Sequence, residues 1–168
     1  IPFIPINHLE GHLCSNLINN YKINLPYLCL LVSGGHTQIW KVNKSSYDIL
    51  STTVDDAAGE AFDKGAKMLG LSYPGGPEIE KYAKYGKKNK YKFTIPKVKN
   101  NPLNYSFSGI KTSLYYKIKE MSKDTLKEEL CNLCASYQEG ILDTLFNKLT
   151  MVLHESHSKD ISIVGGVS

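Results

Sequence analysis

Two short apolar runs in this chain each end in a pair of glycines, and that pattern restricts the fold more than any other feature. Tyr27 to Val32 runs into Ser33-Gly34-Gly35, and Ile161 to Val164 runs into Gly165-Gly166. Unbroken apolar runs of this length suit strands covered on both faces. Strand ends that turn on bare glycine backbone suit a site where N–H groups converge on phosphate or carboxylate oxygens.

The rest of the pattern fills in around those strands. A helix is predicted over 6–19 with Asn7 as its N-cap. Strands are predicted over 37–43 and 47–54, and a helix over 59–69 with Ala58, Phe62, Ala66 and Leu69 on one face. Pro74-Gly75-Gly76-Pro77 reads as a rigid turn that ends this unit, followed by a short helix over 78–85. Residues 86–99 are Lys-rich and exposed, with a short strand over 91–95. Helices follow over 109–121, with Ser108 as cap, and over 123–156, where Leu126, Leu130, Leu133, Tyr137, Ile141, Leu145 and Leu149 fall in register. Helix, three strands, several helices and a strand make an α/β or α+β chain.

Composition sets limits. With 42% hydrophobic and 21% charged residues in 168 positions, the chain is long enough for one ordinary core and is not disordered. The longest apolar run, 25–32, is broken by Pro26 and too short to span a bilayer, so no membrane role is expected. The chain opens on Ile1 and stops at a glycine turn, which suggests a piece of a longer protein lacking both ends. All 20 basic residues are Lys. Phosphate contacts must then come from Lys, backbone N–H or hydroxyl groups, not Arg forks. Cys131-x-x-Cys134 stands alone in a helical pattern and reads as packing thiols in a reducing compartment.

Several residues carry chemistry. His8 and His12 share one helix face and can both reach one metal, for which neutral imidazoles suit iron or zinc. Glu10, midway between them, points to the other side and is poorly placed as a metallopeptidase base. Asp56, Glu60 and Asp63 can line one face and bind substrate hydroxyls or a divalent ion, with Asp55 beside them. Gly76 either reverses the chain or lets a ribose or ring lie on bare backbone. Lys111 and Thr112 could face phosphate or RNA. Lys87, Lys88, Lys90, Lys92, Lys97 and Lys99, with Tyr91 and Phe93, are either an RNA-backbone contact or a solvated loop.

Taken together, His8-x-Glu10-Gly-His12, Leu31-Val-Ser-Gly-Gly-His-Thr-Gln38, Asp55-Asp-Ala-Ala-Gly-Glu-Ala-Phe-Asp-Lys64, Tyr73-Pro-Gly-Gly-Pro77, Ser106-Phe-Ser-Gly109 and Gly165-Gly-Val-Ser168 resemble the TsaD family. The resemblance runs from His8 to Ser168. It implies the two-lobed actin/sugar-kinase/Hsp70-like (ASKHA) fold, with residues 1–168 a central fragment: a metal-binding helix at 6–19 and a nucleotide- and substrate-binding region at 27–168. It implies transfer of a threonylcarbamoyl group from threonylcarbamoyl-AMP to N6 of adenosine 37 in ANN-decoding tRNA, releasing AMP. His8 and His12 would be two ligands of one divalent metal, iron or else zinc. Leu31, Val32, Ser33, Gly34 and Gly35 would form the substrate loop, and Asp63, Gly76 and Glu80 further nucleotide-side contacts. Some relatives have Asp where Glu80 stands. The archaeal and cytosolic eukaryotic branch has Tyr where Leu31 stands, which points to the bacterial or organellar branch.

The location would be the cytoplasm if bacterial, or a mitochondrion or plastid-type organelle if eukaryotic. Partners would be a paralogous pseudoenzyme and a small ATPase. The family's next Asn and third metal ligand, an Asp, would fall past Ser168, so the piece alone should be inactive. No general base is identifiable. A metallopeptidase and a non-catalytic nucleotide-binding scaffold are the alternatives.

Overall fold

A computed structural model describes residues 1–18, 23–95 and 98–167. Four strands form one sheet: β1 (Tyr27–Val32), β2 (Thr37–Val42), β3 (Tyr47–Thr52) and β4 (Ile161–Val164), in the order β3-β2-β1-β4. β1 pairs antiparallel with β2, from Tyr27 opposite Val42 to Val32 opposite Thr37. It pairs in parallel with β4, from Leu28 opposite Ile161 to Leu31 opposite Val164.

Every residue of β1 is buried. Leu28, Leu30 and Val32 belong to a large core shared with the helices α2 (Ala58–Met68), α3 (Gly75–Ala83), α4 (Ser108–Lys119) and α5 (Lys123–Ser156). Tyr27, Cys29 and Leu31 enter a smaller core with Leu13 of α1 (His8–Cys14). Helices on both sides of the strand explain why its sequence is apolar without alternation. The α5 stripe behaves as expected: Leu133, Tyr137, Ile141, Leu145 and Leu149 are buried, and the Tyr137 hydroxyl donates to the Ala61 carbonyl at 2.8 Å. Ser122 caps α5 by accepting from Thr125 N–H at 3.1 Å.

Four elements differ from expectation. The first helix is α-helical only to Cys14 and tightens to a 3-10 turn over Ser15–Leu17, while residue 19 lies outside the described residues. Its cap is as predicted, with Asn7 Oδ1 accepting from Leu9 N–H at 2.9 Å. Pro74-Gly75-Gly76-Pro77 is no free turn, because α3 starts at Gly75. The first-turn N–H groups of a helix have no intrahelical partner, so Pro77 breaks no bond there. Residues 91–95 form no strand, since Tyr91 N–H donates to Ser136 Oγ of α5 rather than to a neighbouring strand. Ser108 is the first residue of α4, not its cap; Phe107 takes the cap position.

Candidate functional site

The β1–β2 turn is closed by its own atoms. Ser33 N–H donates to the His36 carbonyl at 2.8 Å, and His36 N–H donates to Ser33 Oγ at 3.0 Å. Gly34 and Gly35 are exposed at its tip. The start of α2 is pinned against this turn. Ala58 N–H donates to Thr37 Oγ1 at 2.8 Å, and Gly59 N–H donates to the Ser33 carbonyl at 3.3 Å. A Cβ on Gly59 would lie 2.8 Å from both Gly34 Cα and the Ser33 carbonyl oxygen, so only glycine permits this approach. Val167 N–H donates to the Val32 carbonyl at 3.2 Å, which brings the second glycine pair to the same strand end.

Three carboxylates of the acidic run, Asp55, Asp56 and Glu60, are engaged by groups of the protein itself. Asp55 accepts from Phe107 N–H at 2.8 Å and from the Ser106 hydroxyl. Asp56 bridges Lys64 and Lys111, each at 2.6 Å. Burial pushes the Asp56 carboxyl up, but hydrogen bonds from Lys111 and Lys64 outweigh it and hold the group below its ordinary value. Glu60 pairs with Lys64 at 2.8 Å. Lys111 is thus held in an ion pair. These bonds tie α2 to α4 and steady the α2 N-terminus under the turn.

Asp63 points elsewhere. Its Oδ1 accepts from Gly75 N–H at 2.7 Å, so it caps α3 from the neighbouring helix, where Pro74 offers no side-chain cap. Asp63 also lines an open cleft of about 580 Å³, together with Gly34, Gly76 and Glu80. These four come from the turn, α2 and α3. Gly59 and Gly166 close the glycine end, and Gln138 and Leu142 of α5 face in from the other side. A cleft of this size suits a small-molecule ligand. Of the other predicted residues, Leu31 and Val32 are buried in β1, Ser33 is half-buried and internally bonded, and Gly35 is exposed outside the cleft lining. Only backbone groups of Leu31 and Val32 could face a ligand. Gln138, Leu142, Phe62 and Tyr73 were missed. Phe62 and Tyr73 lie within motifs quoted above, whereas Gln138 and Leu142 carry no motif signal and reach the cleft only through the packing of α5 on α3.

The Lys-rich stretch is partly stitched down. Lys88 pairs with Glu139 at 3.1 Å, and Lys90 with Glu129 at 2.6 Å; Lys97 lies outside the described residues. Hydrogen bonds from Lys90, Tyr91 and Asn132 bring the Glu129 carboxyl down to about 2. Cys131 and Cys134 are free thiols on α5, and burial pushes the Cys134 thiol up to about 12.

His8 and His12 meet as expected, with ring centroids 4.8 Å apart in an edge-to-face arrangement. Glu10 is exposed on the same short helix, about 200° around from His8. Among the described residues, no group of three or more His, Cys, Asp or Glu could hold a metal ion. Paired imidazoles are a donor type that iron and zinc accept. No described helix is long and apolar enough to cross a membrane.

The family model described as "TsaD: tRNA N6-adenosine threonylcarbamoyltransferase" matches residues 1–168. The chain is 44% identical over 171 residues to a protein of that name from Fervidobacterium nodosum, covering 99% of this chain and 51% of the relative. A protein of the same name from Endomicrobium trichonymphae is 46% identical over 170 residues, covering 99% and 48%. One from Cytophaga hutchinsonii is 42% identical over 172 residues, covering 100% and 50%. The chain therefore spans about half the length of the curated relatives it matches.

Proposed function

The chain belongs to the TsaD family, and from that premise we propose that the whole protein transfers a threonylcarbamoyl group from threonylcarbamoyl-AMP to N6 of adenosine 37 in ANN-decoding tRNA. Family membership implies an ASKHA-like fold, and the mixed α/β sheet with its helices accords with one. The observation that carries the proposal is the cleft. Gly34, Asp63, Gly76 and Glu80, drawn from separate elements, line one volume suited to a nucleotide.

In this reading the adenosine N6 attacks the carbamoyl carbon, and the bond from that carbon to the phosphate oxygen breaks. AMP leaves with the electron pair, and the proton shed by N6 passes to solvent. Gly34 N–H, at the tip of the closed turn, would donate to an anionic oxygen of the donor. Asp63 keeps one carboxylate oxygen beyond its bond to Gly75, and that oxygen can accept from a ribose hydroxyl. Glu80 adds a second acceptor, though Lys84 pairs with it at 3.3 Å. Adenine N6 is a weak nucleophile, so holding the donor in one orientation supplies much of the acceleration. His8 and His12 would hold a divalent metal, iron or zinc, which would supply Lewis-acid stabilisation of negative charge. The target adenosine would be presented from a single-stranded loop. A paralogous pseudoenzyme and a small ATPase are the proposed partners, in a bacterial cytoplasm or an organelle of bacterial descent.

The test uses the full-length protein with its partners, synthetic threonylcarbamoyl-AMP and unmodified tRNA, with nucleosides read by mass spectrometry. Modified adenosine from wild type, and none from His8→Ala/His12→Ala, is expected. Wild type that binds AMP yet forms no product would overturn the transfer reading in favour of a nucleotide-binding scaffold.

A further inference from the structure

Gln138 projects from α5 into the cleft that also holds Asp63, Gly76 and Glu80. Its side-chain amide makes no hydrogen bond among the described residues, whereas its helical neighbours are committed. Ser136 Oγ bonds the Lys87 carbonyl and Tyr91 N–H, the Tyr137 hydroxyl bonds Ala61, and Glu139 pairs with Lys88. Leu142, one turn further along α5, lines the same cleft, as does Phe62 of α2.

We infer that Gln138 is a specificity-determining residue that reads the edge of the adenine ring of the bound nucleotide, an inference that rests on the nucleotide reading of the cleft. The cleft's own chemistry assigns the roles. Asp63 and Glu80 are carboxylates and only accept, so they suit ribose hydroxyls, and either would repel the lone pair on a ring nitrogen. The Gln138 amide offers one acceptor and two donors side by side. It matches a base that presents an exocyclic amine beside a ring nitrogen, the pairing by which Gln contacts adenine elsewhere. Leu142 and Phe62 supply apolar surface on which the ring can lie. The polar glycine end near Gly34 and Gly166 is left for the phosphate.

The experiment measures calorimetric binding of AMP and of purine riboside 5′-monophosphate, which lacks the exocyclic amine, to full-length wild type and two variants. Each neutral hydrogen bond is worth about fivefold in affinity. Wild type should therefore prefer AMP by about fivefold. Gln138→Leu should weaken AMP by about 30-fold and abolish the preference. Gln138→Glu keeps the acceptor for the amine, so it should weaken AMP yet retain the preference, with melting temperatures of both variants near wild type. If Gln138→Leu binds AMP as wild type does, the inference is overturned while the nucleotide reading stands. If it weakens both ligands equally and keeps the preference, the role is structural and the inference is again overturned. Wild type that binds neither nucleotide overturns the cleft reading and this inference together.

Discussion

Gly75 and Gly76 are adjacent in sequence and opposite in consequence. A Cβ on Gly75 would stand 2.6 Å from Asp63 Cα, 2.7 Å from the Phe62 carbonyl oxygen and 2.8 Å from Ala66 Cβ. Two of those three are backbone atoms of α2, so α3 must move away and stretch the Asp63–Gly75 bond. Overpacking of this kind costs about 1–3 kcal/mol. A Cβ on Gly76 meets nothing within 4 Å, and Gly76 has no positive φ. Alanine there should stabilise the fold by about 0.4–1 kcal/mol by restricting the unfolded chain. Yet Gly76 lines the cleft, and a methyl group would occupy space that the proposed nucleotide would need. Gly76→Ala should therefore melt at or slightly above the wild-type temperature while binding AMP about tenfold more weakly, and Gly75→Ala should melt lower. Thermal melts and AMP calorimetry on full-length protein give both readouts. Wild-type AMP affinity in Gly76→Ala would refute the view that bare backbone serves the ligand, and a lowered melting temperature would refute the steric argument.

Other outcomes follow from the same geometry. His8→Ala/His12→Ala should reduce bound iron or zinc, measured by mass spectrometry of the purified protein, to below a tenth of wild type, whereas Glu10→Ala should retain it. Asp63→Ala should cost about 1 kcal/mol through loss of the α3 cap. Asp63→Asn keeps an acceptor for Gly75 N–H, so it should melt near wild type while losing AMP affinity; equal melting losses in both would count against the cap. Glu129 falls from an ordinary 4.5 to about 2 on folding, so its contribution is complete above pH 4.5 and disappears as pH falls through 2. The melting gap between wild type and Glu129→Gln should close over that window, and a gap independent of pH would contradict the assignment.

Strand β1 was legible because its burial on both faces leaves a direct mark, an unbroken apolar run. The α5 stripe was legible because the helix keeps one face to the core for most of its length. The start of α3 was not, because its cap is Asp63 on another helix and the local residues Pro-Gly-Gly-Pro carry ordinary turn chemistry. The partners of the acidic run were not legible for a related reason. Counting carboxylates cannot reveal that Lys111, far along the chain, neutralises Asp56, or that Asp55 binds the backbone at Phe107. In the site, the glycine-rich residues announced themselves, while Gln138 did not: a lone Gln in a long helix has no distinguishing neighbours until α5 is packed against α3.

The pairing of β1 with β4 also shapes how the chain is made. β1 is complete at residue 32, but the strand that covers its free edge begins only at residue 161. At roughly 5–20 residues per second, that edge waits on the order of ten seconds on the ribosome. During that interval it is an apolar strand with unpaired backbone groups, the kind of edge that templates aggregation. The β2–β3 meander can form at once, but neither glycine pair can be set against the other until β4 arrives. The closing of the exposed edge and the meeting of the two glycine turns therefore fall at the same moment of synthesis.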